Sequence, residues 1–540
     1  MTEYLIEDLQ EIVERLKAHL EENLEEVIAT LKDVASGELP IIETVTPEEA
    51  EIFKRLCGWV VGLDLQRILI KVERELIGAS TESQRVALGN LLKDPELSKH
   101  TPLSSENIDQ RAMSRQAVML MSYIFYEEFH YPQAGAGTYD IANDPFEKLK
   151  WVYRYWLNQL EVAEKGSGLE SLFASQNLDR FTIESPPETR FVTITCAGDL
   201  LAVDALKPEN ATHLFDGITD FYSNADIVSA NLESTVDKNS PIGRYQEPGQ
   251  PARMNTSEEM FQKFCSEAKI NFFSTATNHA MDWGPDGVHA TLNVLKNSGA
   301  LYAGTAASQA EQDEIVIFEK NGVRIALLAF TMDLNGYSTP PDQPYLVNEI
   351  RFNDVNPGPN YSLLKKQVQM ARDRGANWII AYCHWGWEFE MYPHVNIRQA
   401  AHDILGCGVD TILGNHAHVS QPAEIINDKL VIYSFGDFVS YHPESRNSKL
   451  SYIVKFEILQ YNTETSLLRG LKALPIYIVN EDLGGGDFNC RIVKFHDVLN
   501  NPDAYGLTDI EKNQLPHLRD KVWKEILSPL SSLTQHSASN

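Results

Sequence analysis

Positive charge is scarce in this chain. Its 540 residues hold 46 Lys and Arg against 76 Asp and Glu, a formal net charge of −30. That balance argues against non-specific binding to nucleic acid or to an anionic membrane surface. An anionic substrate would need a metal ion or a local arginine to be held against such a field. Cysteine is sparse as well: the six, at positions 57, 196, 265, 383, 407 and 490, lie far apart and form no Cys-x-x-Cys pair. They read as buried thiols in a reducing compartment, which excludes a disulfide framework or a structural zinc site. No run approaches the roughly 18 apolar residues of a membrane span. Glu3, Glu7 and Asp8 stand where a signal peptide needs a basic start, so a cytoplasmic location is expected. Internal repeats and low-complexity tracts are missing too.

An apolar fraction of 43% and a charged fraction of 23% are those of an ordinary globular protein, and the length implies two or three domains. Leu5, Leu9, Ile12, Leu16, Leu20, Leu24, Val27 and Leu31 recur at three- and four-residue steps, which makes the first 35 residues an amphipathic helix. Its roughly heptad-like stripe suits either packing inside its own domain or pairing with a partner protein or a second copy. A second helix begins at Thr46-Pro47-Glu48-Glu49, a capping box with proline in the first turn, and should end near Gly78. Further helical patterns run from about Asn107 to His130 and from Pro145 to Lys165. The aromatics of the last, Trp151, Tyr153, Tyr155 and Trp156, have core spacing. No catalytic motif precedes residue 185, and residues 1–185 read as an all-α domain.

Ser185-Pro186-Pro187-Glu188 is a linker pattern, because paired prolines stop helices. Beyond it, strands alternate with helices, the texture of a layered α/β domain over 190–480, with 481–540 as an extension packed on it. Apolar strands are expected over Phe191–Ala197, Asp226–Ala230, Ile270–Thr275, Arg324–Phe330, Trp378–Cys383, Val409–Leu413 and Leu430–Phe435, and helices follow a Thr256 cap with Glu259 and open at Pro285. A polar stretch rich in Pro, Asn and Gly, about Asp333 to Pro359, is long enough to be mobile or functional.

Five strand ends deliver Asp199, Glu233, Asn278 with His279, His384, and His416 with His418. Each alone is an unremarkable turn or cap residue, but the coincidence carries weight, since loops at the carboxyl ends of strands build the site in open α/β sheets. Carboxylate, amide oxygen and imidazole together suit Mn, Fe or Zn, one ion or two. A two-metal site needs a carboxylate between the ions, for which Glu233 is the natural candidate.

The blocks Ala197-Gly198-Asp199, Asn231-Leu232-Glu233, Thr277-Asn278-His279-Ala280-Met281-Asp282-Trp283-Gly284, His384-Trp385-Gly386-Trp387-Glu388, Gly414-Asn415-His416-Ala417-His418-Val419 and Tyr433-Ser434-Phe435-Gly436-Asp437-Phe438 follow one another over about residues 190–440. This order and spacing resembles the CapA-type proteins of poly-gamma-glutamate capsule biosynthesis, a branch of the calcineurin-like metallophosphoesterase superfamily. The resemblance implies an α/β/β/α sandwich carrying an additional N-terminal all-α domain. It implies metal-ligand roles for Asp199, Glu233, Asn278, His384, His416 and His418, and a general-acid or charge-stabilising role for His279. The implied reaction is attack by a metal-activated water on a phosphoester or a related small or polymeric polyanion. The alternative is a non-catalytic binding component of a capsule synthesis or export assembly. Two blocks depart from the superfamily pattern: Asp199-Leu200-Leu201 stands where Asp-x-His is usual, so that Leu201 replaces the histidine, and Glu233 stands where aspartate is usual.

Neighbouring residues have competing readings. Asp282 either orients His279 or caps the helix near Pro285. Glu388 matches an acid of the CapA branch, suited to substrate binding or proton transfer, or is a solvated loop acid. Arg253 could hold an anionic substrate. His394 and His402 carry weaker signals, and Cys383 reads as a buried thiol rather than a nucleophile.

Overall fold

The computed structural model describes residues 5–39, 42, 45–62, 110–133, 145–186, 190–201, 206–247, 251–461 and 465–535. The chain divides into two compact units, one of Met1–Pro132, Asp140–Leu160 and Glu247–Pro251, the other of Gln133–Tyr139, Glu161–Gln246 and Ala252–Asn540.

The first unit is helical. A helix over Leu5–Ser36 buries Val27, Leu31 and Val34 and is kinked at Asn23, whose side-chain amide donates to the His19 carbonyl. The helix Pro47–Gly62 starts from the expected box: Thr46 N donates to Glu49 Oε2 at 2.9 Å and Glu49 N to Thr46 Oγ1 at 3.3 Å. Its expected end near Gly78 lies outside the described residues. The pattern up to His130 is two helices, Gln110–Ile124 and Tyr126–His130, because Phe125 leaves helical geometry between them. The helix from Pro145 stops at Trp156, short of the expected Lys165, where Gln159 Nε2 takes the Arg154 carbonyl at 2.7 Å and so satisfies a terminal acceptor. Tyr153 is fully buried edge-on to Phe129, so this ring is core.

The second unit contains two sheets. Its strands are β1 (Phe191–Leu200), β2 (Ile227–Leu232), β3 (Gly243–Tyr245), β4 (Arg253–Asn255), β5 (Phe272–Ser274), β6 (Leu301–Ala303), β7 (Val316–Lys320) and β8 (Val323–Thr331). They continue with β9 (Trp378–His384), β10 (Thr411–Asn415), β11 (Ala423–Ile426), β12 (Lys429–Ile432), β13 (Asp437–Val439), β14 (Leu450–Gln460), β15 (Ser466–Gly484) and β16 (Asp487–Lys494). One sheet has the order β16-β15-β14-β1-β2-β5-β6, with β13 also paired to β1; the other has the order β11-β12-β10-β9-β8-β7; β3 and β4 form a hairpin. Strands β1, β2, β5 and β6 are mutually parallel, as are β8, β9, β10 and β12. These central strands are short continuous apolar runs buried on both faces, which parallel strands under cover require.

The sheets meet face to face: Tyr382 of β9 donates to Ser229 Oγ of β2 at 2.9 Å and sets its ring against Phe272 of β5. Helices cover the outer faces. Met260, Phe261 and Phe264 of the helix Glu258–Ser266 join the core with Val228 and Ala230, while Ile397, Ala400, Ala401 and Ile404 bury one side of the helix Val395–Gly406 beside β10. The architecture is thus an α/β sandwich accompanied by an N-terminal helical region. The helix at 258 is capped by Ser257, whose Oγ accepts from Met260 N, rather than by Thr256, whose hydroxyl bonds to Ser234.

Residues 161–185, read from sequence as part of the helical domain, lie in the second unit, where Glu161 bonds Arg446, Asn447 and His517 and Phe173 packs on Tyr433. β16 extends the first sheet beyond residue 480, and Trp523 of the following helices lies against Tyr452. Among the described residues no helix is long and apolar enough to cross a membrane.

Candidate metal centre

The parallel strands β1, β2, β5, β9 and β10 all end on the same edge of the sandwich, and their last residues and following loops converge there. Two glycines allow the convergence. A Cβ on Gly198 would lie 1.7 Å from the Gly436 carbonyl oxygen, and one on Gly414 would lie 1.9 Å from that of Tyr433. Beyond β10 the backbone turns sharply: His416 has φ 96° and His418 φ 54°, positions that non-glycine residues take only when the surroundings enforce them. This turn carries both rings into one buried cluster.

Glu233 stands at its centre. Both carboxylate oxygens are buried and neither accepts a hydrogen bond from any of the described residues. Oε1 lies 3.4 Å from His384 Nε2 and 3.6 Å from His418 Nε2. On one side Glu233, His384 and His416 bring ligand atoms within 4.8 Å of one another, and on the other Asp199, Glu233 and His418 do the same. Asn278 Oδ1 joins the first group, 2.8 Å from His384 Nε2, which is itself 3.1 Å from His416 Nδ1. Asp199 is held by the backbone N–H of His416 and the Asn231 amide, at 3.1 and 2.7 Å. All six residues read from sequence as ligands are therefore brought together. Leu201, where a histidine would be usual, is buried in the apolar core, so the Asp199 side of the cluster has one imidazole fewer.

The electrostatics of this cluster call for a cation. Burial pushes the Asp199 carboxyl up to about 7 and Glu233 well above its ordinary range. Burial also pushes His416 down to about 3 and His384 well below its usual value, so both rings are neutral and able to ligate. Burial acts the same way on His418, but the charges of Glu233 and Asp437 outweigh it and hold this imidazole well above its usual value. Unpaired buried carboxylate oxygens cost several kcal/mol, and a divalent ion between these donors would satisfy them. The residues thus fit Mn, Fe or Zn, with Glu233 able to face two ions and Asn278 supplying a neutral oxygen.

Around the cluster, His279 Nδ1 is 2.7 Å from Asp282 Oδ2, and the same oxygen accepts from Met254 N at 2.5 Å. Of its two readings Asp282 takes the orienting one: the helix Gly284–Ser298 begins after Trp283 with no side-chain cap. Glu388 Oε1 lies 4.0 Å from His418 Nε2 on a side chain only 15% exposed, at the cluster rather than in bulk solvent. Arg253 sits near Asp282 with its guanidinium over Trp283 and its Nε donating to Tyr337 Oη at 3.0 Å. His394 stacks on Trp387 and pairs with Glu390, and the Cys383 thiol is buried and pushed well up by that burial. Cys265 and Cys407 are only partly buried, against the expectation for all six thiols.

Four further residues, to which the sequence assigns no role, support the cluster. Asn335, at φ 52° in the long polar loop, accepts from Asn278 Nδ2 and so leaves the Asn278 oxygen turned toward His384. Asn231 bridges Asp199 and His384. Asp437 bonds His418, and His442 stands 3.1 Å from Asp437 Oδ2. One signal existed: Gly436-Asp437 repeats the Gly198-Asp199 dipeptide, and in the sheet Asp437 is the direct register partner of Asp199.

Known proteins resemble this part of the chain. Residues 193–442, a little under half of the chain, match the family described as bacterial capsule synthesis protein PGA_cap. The chain is 27% identical over 263 residues to the capsule biosynthesis protein CapA of Bacillus anthracis, covering 47% of this chain and 60% of that one. It is 27% identical over 237 residues to the PGA biosynthesis protein CapA of Bacillus subtilis (strain 168), covering 43% and 58%. A probable polyglutamine synthesis accessory protein of Mycobacterium tuberculosis is 25% identical over 173 residues, covering 30% of this chain and 43% of its own. The chain thus spans about three fifths or less of the length of these three relatives. Residues 193–442 form a CapA-type domain of the bacterial capsule synthesis protein family, on a metallophosphoesterase-like fold.

Proposed function

We propose that this domain is a metal-dependent hydrolase in which water attacks a phosphoester or a related polyanion, within capsule or poly-gamma-glutamate synthesis. The observation that carries the reading is the Glu233 carboxylate, wholly buried, without a hydrogen-bond donor among the described residues, and ringed by His384, His416, His418, Asp199 and Asn278. One or two ions of Mn, Fe or Zn, held by these residues, would supply Lewis-acid stabilisation and an acidified water. The chain's own groups do the remainder. Asp282 fixes the His279 ring through Nδ1, leaving Nε2 to donate to a leaving oxygen or to stabilise negative charge on the substrate. Glu388, with Oε1 4.0 Å from His418 Nε2, is the acid available to accept a proton. Arg253, backed by Trp283 and Tyr337, supplies positive charge for an anionic group in a strongly acidic chain.

A second reading, a binding component of a synthesis or export assembly, draws support from the absence of an imidazole at Leu201, which leaves the Asp199 side with fewer donors. The purified chain should contain metal and hydrolyse one of phosphomonoesters, phosphodiesters or gamma-glutamyl peptides. Loss of hydrolysis in both Glu233→Gln and His384→Ala is expected. A metal-free chain whose two variants behave as wild type would sink the proposal, and metal binding without hydrolysis would favour the second reading.

A further inference from the structure

We infer that Asp437 is a positioning residue for His418, supporting the side of the cluster that lacks the first-block histidine. This rests on the metal-site reading above. His418 uses its two ring nitrogens in opposite directions: Nε2 is turned to Glu233 Oε1 at 3.6 Å, and Nδ1 meets Asp437 Oδ1 at 2.8 Å. A carboxylate behind an imidazole fixes the tautomer that leaves the far nitrogen's lone pair for a cation, and it raises the ring's basicity.

Asp437 is itself tightly held. Its other oxygen accepts from Ser440 Oγ at 2.7 Å and stands 3.1 Å from His442 Nδ1, and its backbone is fixed in β13, in register with Asp199 of β1. His442 also sets its ring edge-on to His418, with centroids 4.9 Å apart. The carboxylate is therefore already engaged on both oxygens, and His418 cannot turn Nδ1 inward without breaking this bond. The other side of the cluster is supported differently, by neutral amides: Asn335 on Asn278 and Asn231 on His384. With fewer donors on the Asp199 side, each of them matters more. A charged residue behind His418 is the compensation the geometry points to.

The test is titration of the metal-free full-length chain with Zn²⁺ and Mn²⁺, read by calorimetry and by bound-metal content after dialysis, for wild type, Asp437→Asn, Asp437→Ala and His442→Gln. Each protein's metal-free melting temperature is measured in parallel, and titrations are run below it. Asp437→Ala should weaken one class of site about 10–100-fold, the usual cost of losing such a partner. Asp437→Asn, which keeps an acceptor oxygen and the volume but not the charge, should weaken it about tenfold with little change in metal-free melting. His442→Gln should give a smaller loss at the same site. Unchanged affinity in Asp437→Asn and Asp437→Ala overturns the inference even if their melting temperatures fall, since that pattern marks a purely structural role. A wild type that takes up no metal fails the underlying reading instead, which keeps the two failures apart.

Discussion

Replacing Glu233 by glutamine should make the metal-free protein more stable while removing its metal. In the metal-free state this acid is fully buried with no hydrogen-bond donor among the described residues, and burial raises its pKa well above the ordinary 4.5. Protonation limits the penalty. Carrying a proton at pH 7 on a group with an ordinary value of 4.5 costs about 1.4 kcal/mol per pH unit over 2.5 units, about 3 kcal/mol. Glutamine has nearly the same shape and carries no charge, so the metal-free variant recovers up to that amount, less the cost of any amide group it leaves unpaired. For a unit of this size the gain corresponds to a few degrees in melting temperature. Metal should act in the opposite direction: wild type gains stability with added Zn²⁺ or Mn²⁺, and Glu233→Gln gains little. Scanning calorimetry with and without chelator, alongside bound-metal content, measures both. A glutamine variant that melts lower than wild type in chelator and still binds metal would refute the assignment of Glu233 as a buried acid awaiting a cation.

Metal affinity should fall with acidity, because Asp199, at about 7, must give up a proton to bind, whereas His416, at about 3, is already neutral. The sign follows from the raised acid: below pH 7 the proton competes, and affinity drops about tenfold per unit for each proton displaced. Glu233 and His418, also held up, add to the slope, so calorimetric affinity that stays flat from pH 7.5 to 5.5 contradicts this charge assignment. Once a substrate is in hand, His279→Asn should lower kcat about 10²–10⁴-fold with metal content unchanged; Asp282→Asn should lower it less, and metal loss in either variant would argue that His279 belongs to the ligand set. Gly414→Ala should cost about 3 kcal/mol or more in denaturant unfolding, since its Cβ would meet the Tyr433 carbonyl at 1.9 Å, and a near-neutral result would mean that β10 and β12 separate more easily than they pack.

Local pattern set much of this in advance. The apolar runs Trp378–Cys383 and Val409–Leu413 mark buried strands by their β-branched and aromatic content, and the capping box at Thr46 and Glu49 forms as read, because both signals are short-range. The six candidate ligands were legible because each follows a strand directly, so the sheet itself delivers them to one edge. The sequence could not show how each donor is aimed. Asp437 lies 19 residues from His418 and 238 from Asp199, and it meets both only because β13 returns parallel to β1. Asn335 sits in a stretch with no periodicity, and its bond to Asn278 exists only once the loop is laid down. Helix ends such as Trp156 were set by a side chain, Gln159, reaching back to a terminal carbonyl. Residue type and spacing therefore determined which donors this protein owns. Tertiary packing decided their direction and charge, because burial without hydrogen-bond partners turns ordinary acids and imidazoles into a site for a cation.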